Sequence, residues 1–302
     1  MRLLVALVLS GAGLTVGLVF DLFGHRRRFG RLPVAHGAVV SAAAMAVGVV
    51  TAVADAARAE DGWERDSVVV NARAPLVGGL DGCRRGWVLV LAPRVGHAPS
   101  VVQVVTDLVE VLALLDADQV GAVGVDIPIG LPLVGPRRCD VAARRRLGRR
   151  GSSVFPAPPR ALFGSDSYDD AVTRSRAVCG KGISVQAFGI LPKVEAVDRL
   201  MTPDRQYSVV EVHPELSFTL LAGHPMHFRK ACPEGKAERL DVLREVFPDV
   251  DDHLARPLPG ARPDDVLDAF AAAWSAARWL SGTYERFGGE LDGRGLRMEI
   301  IA

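Results

Sequence analysis

VGGLDGCRRGWVLVL, residues 77–91, reads as two strands folded against each other. Val77 to Asp81 is a short apolar run of the kind a sheet buries, and GCRRG at 82–86 carries the glycines of a turn. Trp87 to Leu91 then returns beside the first strand. Downstream, Val101 to Val105 supplies a third strand. Leu108 to Leu115 has apolar residues at 108, 111, 112 and 115, the spacing of a helix. Val120 to Ile127 (VGAVGVDI) is nearly continuous in apolar residues, as a strand covered on both faces requires, and Pro128 and Pro132 end it. Ser208 to Val212 is a further strand and Pro214 starts a helix. Lys236 to Val246 and Pro263 to Leu280 read as helices, and Leu296 to Ile301 as a closing strand. An antiparallel meander, a crossover helix and more buried strands and helices make an α/β layered domain.

Outward from that domain the chain changes character. Its 302 residues leave room for one large domain or two modest ones, and 49% apolar content excludes global disorder. The net charge of +1 averages over unlike regions and identifies no partner. Cys83, Cys139, Cys179 and Cys232 lie far apart with no CxxC pair, which argues against zinc and against a disulfide scaffold, and fits reduced thiols of a cytosolic domain. Residues 1–20 are apolar except for Arg2 and long enough to span a bilayer as a helix. HRRRFGR follows, then a second uncharged run from Gly37 to Ala54, too rich in Ala and Gly to insert well. The expectation is a membrane-prone segment over 1–56, a mixed-charge linker over 57–74 and the folded domain over 75–302. One N-terminal span would leave that domain in the cytoplasm. A mis-chosen start codon is the competing account and would make the protein wholly cytoplasmic. A cleaved signal peptide is disfavoured because the basic cluster follows the apolar run.

Acids set in apolar context point to chemistry. Divalent ions prefer carboxylate oxygens, and phosphodiester cleavage commonly uses two ions about 4 Å apart, so several acids must converge from separate elements. Asp81 ends the first strand, although an Asp-Gly turn residue is an equally ordinary role. Asp126 interrupts the most apolar strand, where an unpaired carboxylate is costly unless it binds a partner or a metal. In RPDDVLDAFAAAWSAARW, Asp264 and Asp265 suit the first turn of a helix, where acids complement the dipole. Asp268 is three residues beyond Asp265 and shares its face, and Ala269, Ala272 and Ala276 continue that side. Small residues there would let the helix approach the sheet closely. In VVEVHPELSF, Glu211 and His213 alternate with valines and so share one face. Glu211 is a further candidate ligand, and His213 a group that positions or deprotonates water, although a lone histidine is more often structural.

PRRCDVAARRRLGRRGSSVFPAPPR, residues 136–160, holds eight arginines against one acid, Asp140. Charge runs usually form a solvated helix face, but this concentration suits phosphate. Arg137, Arg138, Arg144, Arg145 and Arg149 are candidate phosphate or nucleic-acid ligands, with Ser152 and Ser153 adding donors. Lys193, in QAFGILPKVEAVD, is counted with them. Few aromatic residues accompany the run, so base stacking is not indicated.

GLDGCRRGW, VGVDIPIGLP, RRCDVAARRRLGRRGSSVFPAP, QAFGILPKVEAVD, EVHPELSF and DDVLDAFAAAW together resemble the family known as domain of unknown function 429, from about Val77 to the C-terminus. Members of that family are predicted RNase H-like nucleases. The resemblance therefore implies a mixed central sheet with helices on both faces, preceded here by an apolar helical segment. The DxxDA pattern at Asp265–Ala269 is similar to the last helix of Holliday-junction resolvases, where two aspartates three apart face the metals. That likeness implies a metal set of Asp81, Asp126, Asp265 and Asp268 holding Mg2+ or Mn2+, with Asp126 where resolvases usually offer a glutamate. The function expected is metal-dependent hydrolysis of nucleic-acid phosphodiesters. A catalytically inactive nucleic-acid-binding module and an actin-like nucleotide phosphotransferase are the alternatives, the last weakened because only one meander is visible.

Overall fold

The computed structural model describes residues 3–10, 13–20, 74–94 and 98–302, the first two stretches as backbone alone. The chain divides into two units, Met1–Asp66 and Ser67–Ala302. In the first, β1 (Leu3–Ser10) pairs antiparallel with β2 (Gly13–Phe20), Leu3 opposite Phe20 and Ser10 opposite Gly13. This corrects the helix expected over residues 1–20. Valines recur along both halves and a glycine stands on either side of Ala12, so branched residues favour strands and the glycines favour reversal between them. HRRRFGR, the Gly37 to Ala54 run and all of the linker but Ala74 lie outside the described residues. Among the described residues no helix is long and apolar enough to cross a membrane.

The second unit is a mixed α/β domain. Its strands are β3 (Leu76–Cys83), β4 (Gly86–Pro93), β5 (Val101–Val105), β6 (Val120–Val125) and β7 (Val209–Glu211). They form one sheet in the order β5-β4-β3-β6-β7. β3, β4 and β5 are the expected antiparallel meander, whereas β6 runs parallel to β3 and β7 parallel to β6. A short hairpin, β8 (Arg286–Leu291) with β9 (Arg297–Ile301), closes the chain.

The helices are α1 (Leu108–Asp116), α2 (Arg138–Leu147), α3 (Tyr168–Cys179), α4 (Val185–Leu200), α5 (Pro214–Ala222), α6 (Pro233–Arg244), α7 (Val250–Leu254) and α8 (Pro263–Ser281). Alternation along the central strands sends side chains to two cores. Leu80, Leu89 and Val125 pack with Val111 of α1 and Val194 of α4. Val77, Val88, Val90 and Ala122 pack on the other face with Phe218, Leu243 and Phe270. Helices thus cover both faces of the sheet, and α8 lies across β3, β4 and β6.

The contact of α8 with the sheet is unusually close. A Cβ on Gly79 would fall 2.0 Å from the Ala269 carbonyl oxygen, and one on Gly124 2.4 Å from that of Ala272. Only glycine fits at either point, and Ala269, Ala272, Ala273 and Ala276 are fully buried against the sheet. The spacing of small residues on this helix anticipated that approach. Gly79 and Gly124 stand opposite each other in neighbouring parallel strands. Asp81 and Asp126 each follow two residues later.

Candidate metal centre

A residue two positions on in a strand returns to the same face. Gly79 and Gly124 therefore aim Asp81 and Asp126 toward α8, and the Asp126 amide donates to the Leu80 carbonyl at 3.0 Å, holding the β6 end beside β3. Asp268, in the first turns of α8, meets them there. One carboxylate oxygen from each of Asp81, Asp126 and Asp268 lies within 4.8 Å of the other two.

Protein surrounds the group closely, although Asp81 and Asp126 keep some accessible surface and Asp268 is buried. Among the described residues, no donor bonds the Asp81 or Asp126 carboxylate. Burial, then the neighbouring Asp268 and Asp126, hold the Asp81 carboxyl well above the usual range. Burial also raises Asp126, opposed by His213 and Lys230. Burial pushes Asp268 up to about 6 in spite of Lys230 beside it. Three hard oxygen donors that disfavour one another's charge form a donor set suited to a hard divalent cation.

The Lys230 ammonium donates to Asp268 Oδ2 at 2.7 Å. Nothing in the sequence around HPMHFRKACPEG singles this lysine out, because it belongs to a loop between α5 and α6, more than thirty residues from its partner. His213 stands at the residue before α5 without capping it through its side chain, and its Nε2 lies 3.4 Å from the Ser153 carbonyl oxygen. Its Nδ1 is buried and has no hydrogen-bond partner among the described residues.

Three candidates are committed elsewhere. Asp265 accepts from the Arg262 amide at 2.8 Å and from its guanidinium at 3.1 Å, so it caps α8 instead of joining the three converging oxygens. Glu211 is engaged on both oxygens by Arg137 at 2.6 Å each, and Oε2 also accepts from the Ile129 amide at 2.7 Å. This corrects Glu211 as a metal ligand: its lone pairs are directed at fixed donors. Arg137 is corrected as a phosphate ligand for the same reason, since it is buried and also bonds Asp140 and the carbonyls of Ile129 and Gly130. Burial lifts the Glu211 carboxyl to about 7 against the pull of Arg137, whereas Glu211 and Asp140 outweigh burial at Arg137 and hold its charge. A two-pronged bond from a guanidinium plus one from an amide requires a carboxylate acceptor, so the pair is charged. The network ties the loop following Asp126 to β7.

Of the remaining basic run, Arg138, Arg145 and Arg149 project into solvent. Arg144 is exposed too, but donates to the Val154 carbonyl at 3.2 Å. Ser152 is exposed, and Ser153 donates its hydroxyl to the Arg150 carbonyl at 2.8 Å. Lys193 lies over the Trp87 ring at 4.7 Å and donates to the Gly86 carbonyl at 2.7 Å, at the turn that follows Asp81.

The family model described as "Protein of unknown function (DUF429)" matches residues 79–292, well over half of the chain. The chain belongs to the DUF429 family. The DUF429 match opens at Gly79, one of the two glycines under α8, and contains all three converging aspartates, Lys230, His213 and the arginine-rich helix. No curated protein and no solved structure matches the chain.

Proposed function

We propose that the DUF429 domain is an RNase H-like, divalent-metal-dependent hydrolase of nucleic-acid phosphodiesters. The observation that carries the proposal is the convergence of Asp81, Asp126 and Asp268 from β3, the end of β6 and α8. The strand order, with a three-stranded antiparallel meander and two parallel strands added beside β3, supports the fold assignment. In open sheets of this kind ligands collect outside the carboxyl ends of the parallel strands, where Asp81 and Asp126 stand.

Asp81, Asp126 and Asp268 would hold Mg2+ or Mn2+, and recruiting a second ion requires Asp265 to leave Arg262. Such an ion, when bound, lowers the pKa of water and stabilises a leaving oxygen. His213 offers a buried ring nitrogen with no hydrogen-bond partner among the described residues, suited to taking a proton from that water. Arg138, Arg145 and Arg149, whose guanidinium groups form no ion pair among the described residues, would hold the phosphate backbone.

One observation favours a domain that binds nucleic acid without cutting it: Asp268 already has a cationic partner in Lys230. Cleavage decides between them. The purified protein should cut labelled single- or double-stranded DNA or RNA with Mg2+ or Mn2+, and Asp81→Asn or Asp126→Asn should lower the rate at least about 100-fold. Binding without turnover, or cleavage by both variants at the wild-type rate, rejects the hydrolase.

A further inference from the structure

Lys230 is the only cation within hydrogen-bonding distance of the converging carboxylates among the described residues, and it bonds one of them at 2.7 Å. Its electrostatic reach is wider than that contact, since Asp268, Asp126 and Asp81 all act on it. Its tether is loose: the side chain is 51% exposed and makes no other hydrogen bond among the described residues. The loop that carries it is not loose. Glu238 accepts from the amides of His227 and Phe228 at 2.7 and 3.1 Å, and Arg239 donates to the Phe228 carbonyl at 3.3 Å. The backbone is therefore pinned two residues before Lys230, while the four-carbon stem remains free to turn.

We propose that Lys230 is an exchangeable counter-ion of the metal centre, displaced from Asp268 when a divalent cation enters and turned outward to face the substrate phosphate. The proposal rests on the metal reading above and adds the regulation of that site. Two cations on one carboxylate repel each other, and the lysine has solvent on its open side. Only side-chain torsions need change, because the loop is anchored independently. The ammonium sets a threshold for metal occupancy and is then available as a point charge for phosphate.

Calorimetric titration of the full chain with Mn2+ alone tests the exchange. Lys230→Met should bind Mn2+ about tenfold more tightly than the wild type, because no ammonium has to be displaced. Lys230→Arg, which keeps the charge, should stay within a few-fold of wild type, and Arg229→Met, on the exposed neighbour, should not differ. Equal or weaker binding by Lys230→Met overturns the exchange and leaves the metal centre standing. Absence of binding in wild type and variant alike removes the metal centre and the exchange together. A second measurement needs no variant: acylation of Lys230 by an amine-reactive ester, followed by mass spectrometry, should speed up several-fold at saturating Mg2+. An unchanged or slower rate overturns the proposal.

Discussion

At Asp268, burial and Lys230 act in opposite directions, and burial prevails, moving the carboxyl from the ordinary 3.8 to about 6. An acid raised in the folded state binds its proton more tightly there than in the unfolded chain. Its favourable contribution is therefore complete below about pH 4 and is lost as pH rises toward 6. Asp81 and Asp126 are raised too and add to the same trend. In the presence of a chelator, wild type should lose on the order of 3 kcal/mol from Asp268 across that window relative to Asp268→Asn. Melting curves from pH 4 to 7 check this, and saturating Mg2+ should abolish the difference in slope. A wild-type slope parallel to that of Asp268→Asn would remove the like-charge cluster. At this scale the sequence was only partly legible. Asp81, Asp126 and Asp268 stand out as acids in apolar context, but Asp265, although suited to a helix start, and Glu211 are counted with them as ligands. Their arginine partners were not evident from the residues alone, and Arg137 lies 74 positions from Glu211.

Among the elements, α8 and the two parallel strands beneath it set the geometry of the site. Gly79-Leu80-Asp81 and Gly124-Val125-Asp126 repeat one arrangement, a glycine that admits the helix backbone followed by an acid on the same face. That repeat is present in the sequence, but a glycine in a strand reads first as a weak position and does not signal a close approach. Gly79→Ala places a methyl group 2.0 Å from a carbonyl oxygen and 2.3 Å from the Ala273 amide nitrogen. The helix must move, so we expect a loss of about 3 kcal/mol or more in denaturant unfolding. Mn2+ affinity should fall in the same variant, because Asp268 moves with its helix. Stability and affinity both at wild-type values would show that the close approach does not set the site. Helices α3, α4 and α7 and strand β8 are not among the elements read from the sequence. Arg160, bonded to Asp198 at 2.8 Å, and the buried Arg137 show that the basic run is partly an internal scaffold. The apolar N-terminal residues pair as strands because β-branched residues favour extended backbone, a preference that the length of an apolar run does not report.

For the molecule as a whole, charge distribution matters more than the near-zero total. Arg137, Arg146, Arg150 and Arg160 are bound to Glu211, Glu285, Glu215 and Asp198 respectively, whereas Arg138, Arg145 and Arg149 are left to solvent. Nucleic-acid binding measured against salt should show a log–log slope that falls by about 2 to 3 when Arg138, Arg145 and Arg149 are all changed to Gln. An unchanged slope would place the phosphate path elsewhere. By itself the sequence determined the layered α/β character, the meander and the buried final helix, because periodicity and turn residues act over a few neighbours. Only the tertiary structure decided which acids keep open lone pairs and which are held by arginines, and it alone brought Lys230 to Asp268. Those outcomes depend on distances between segments remote along the chain, and no local pattern encodes them.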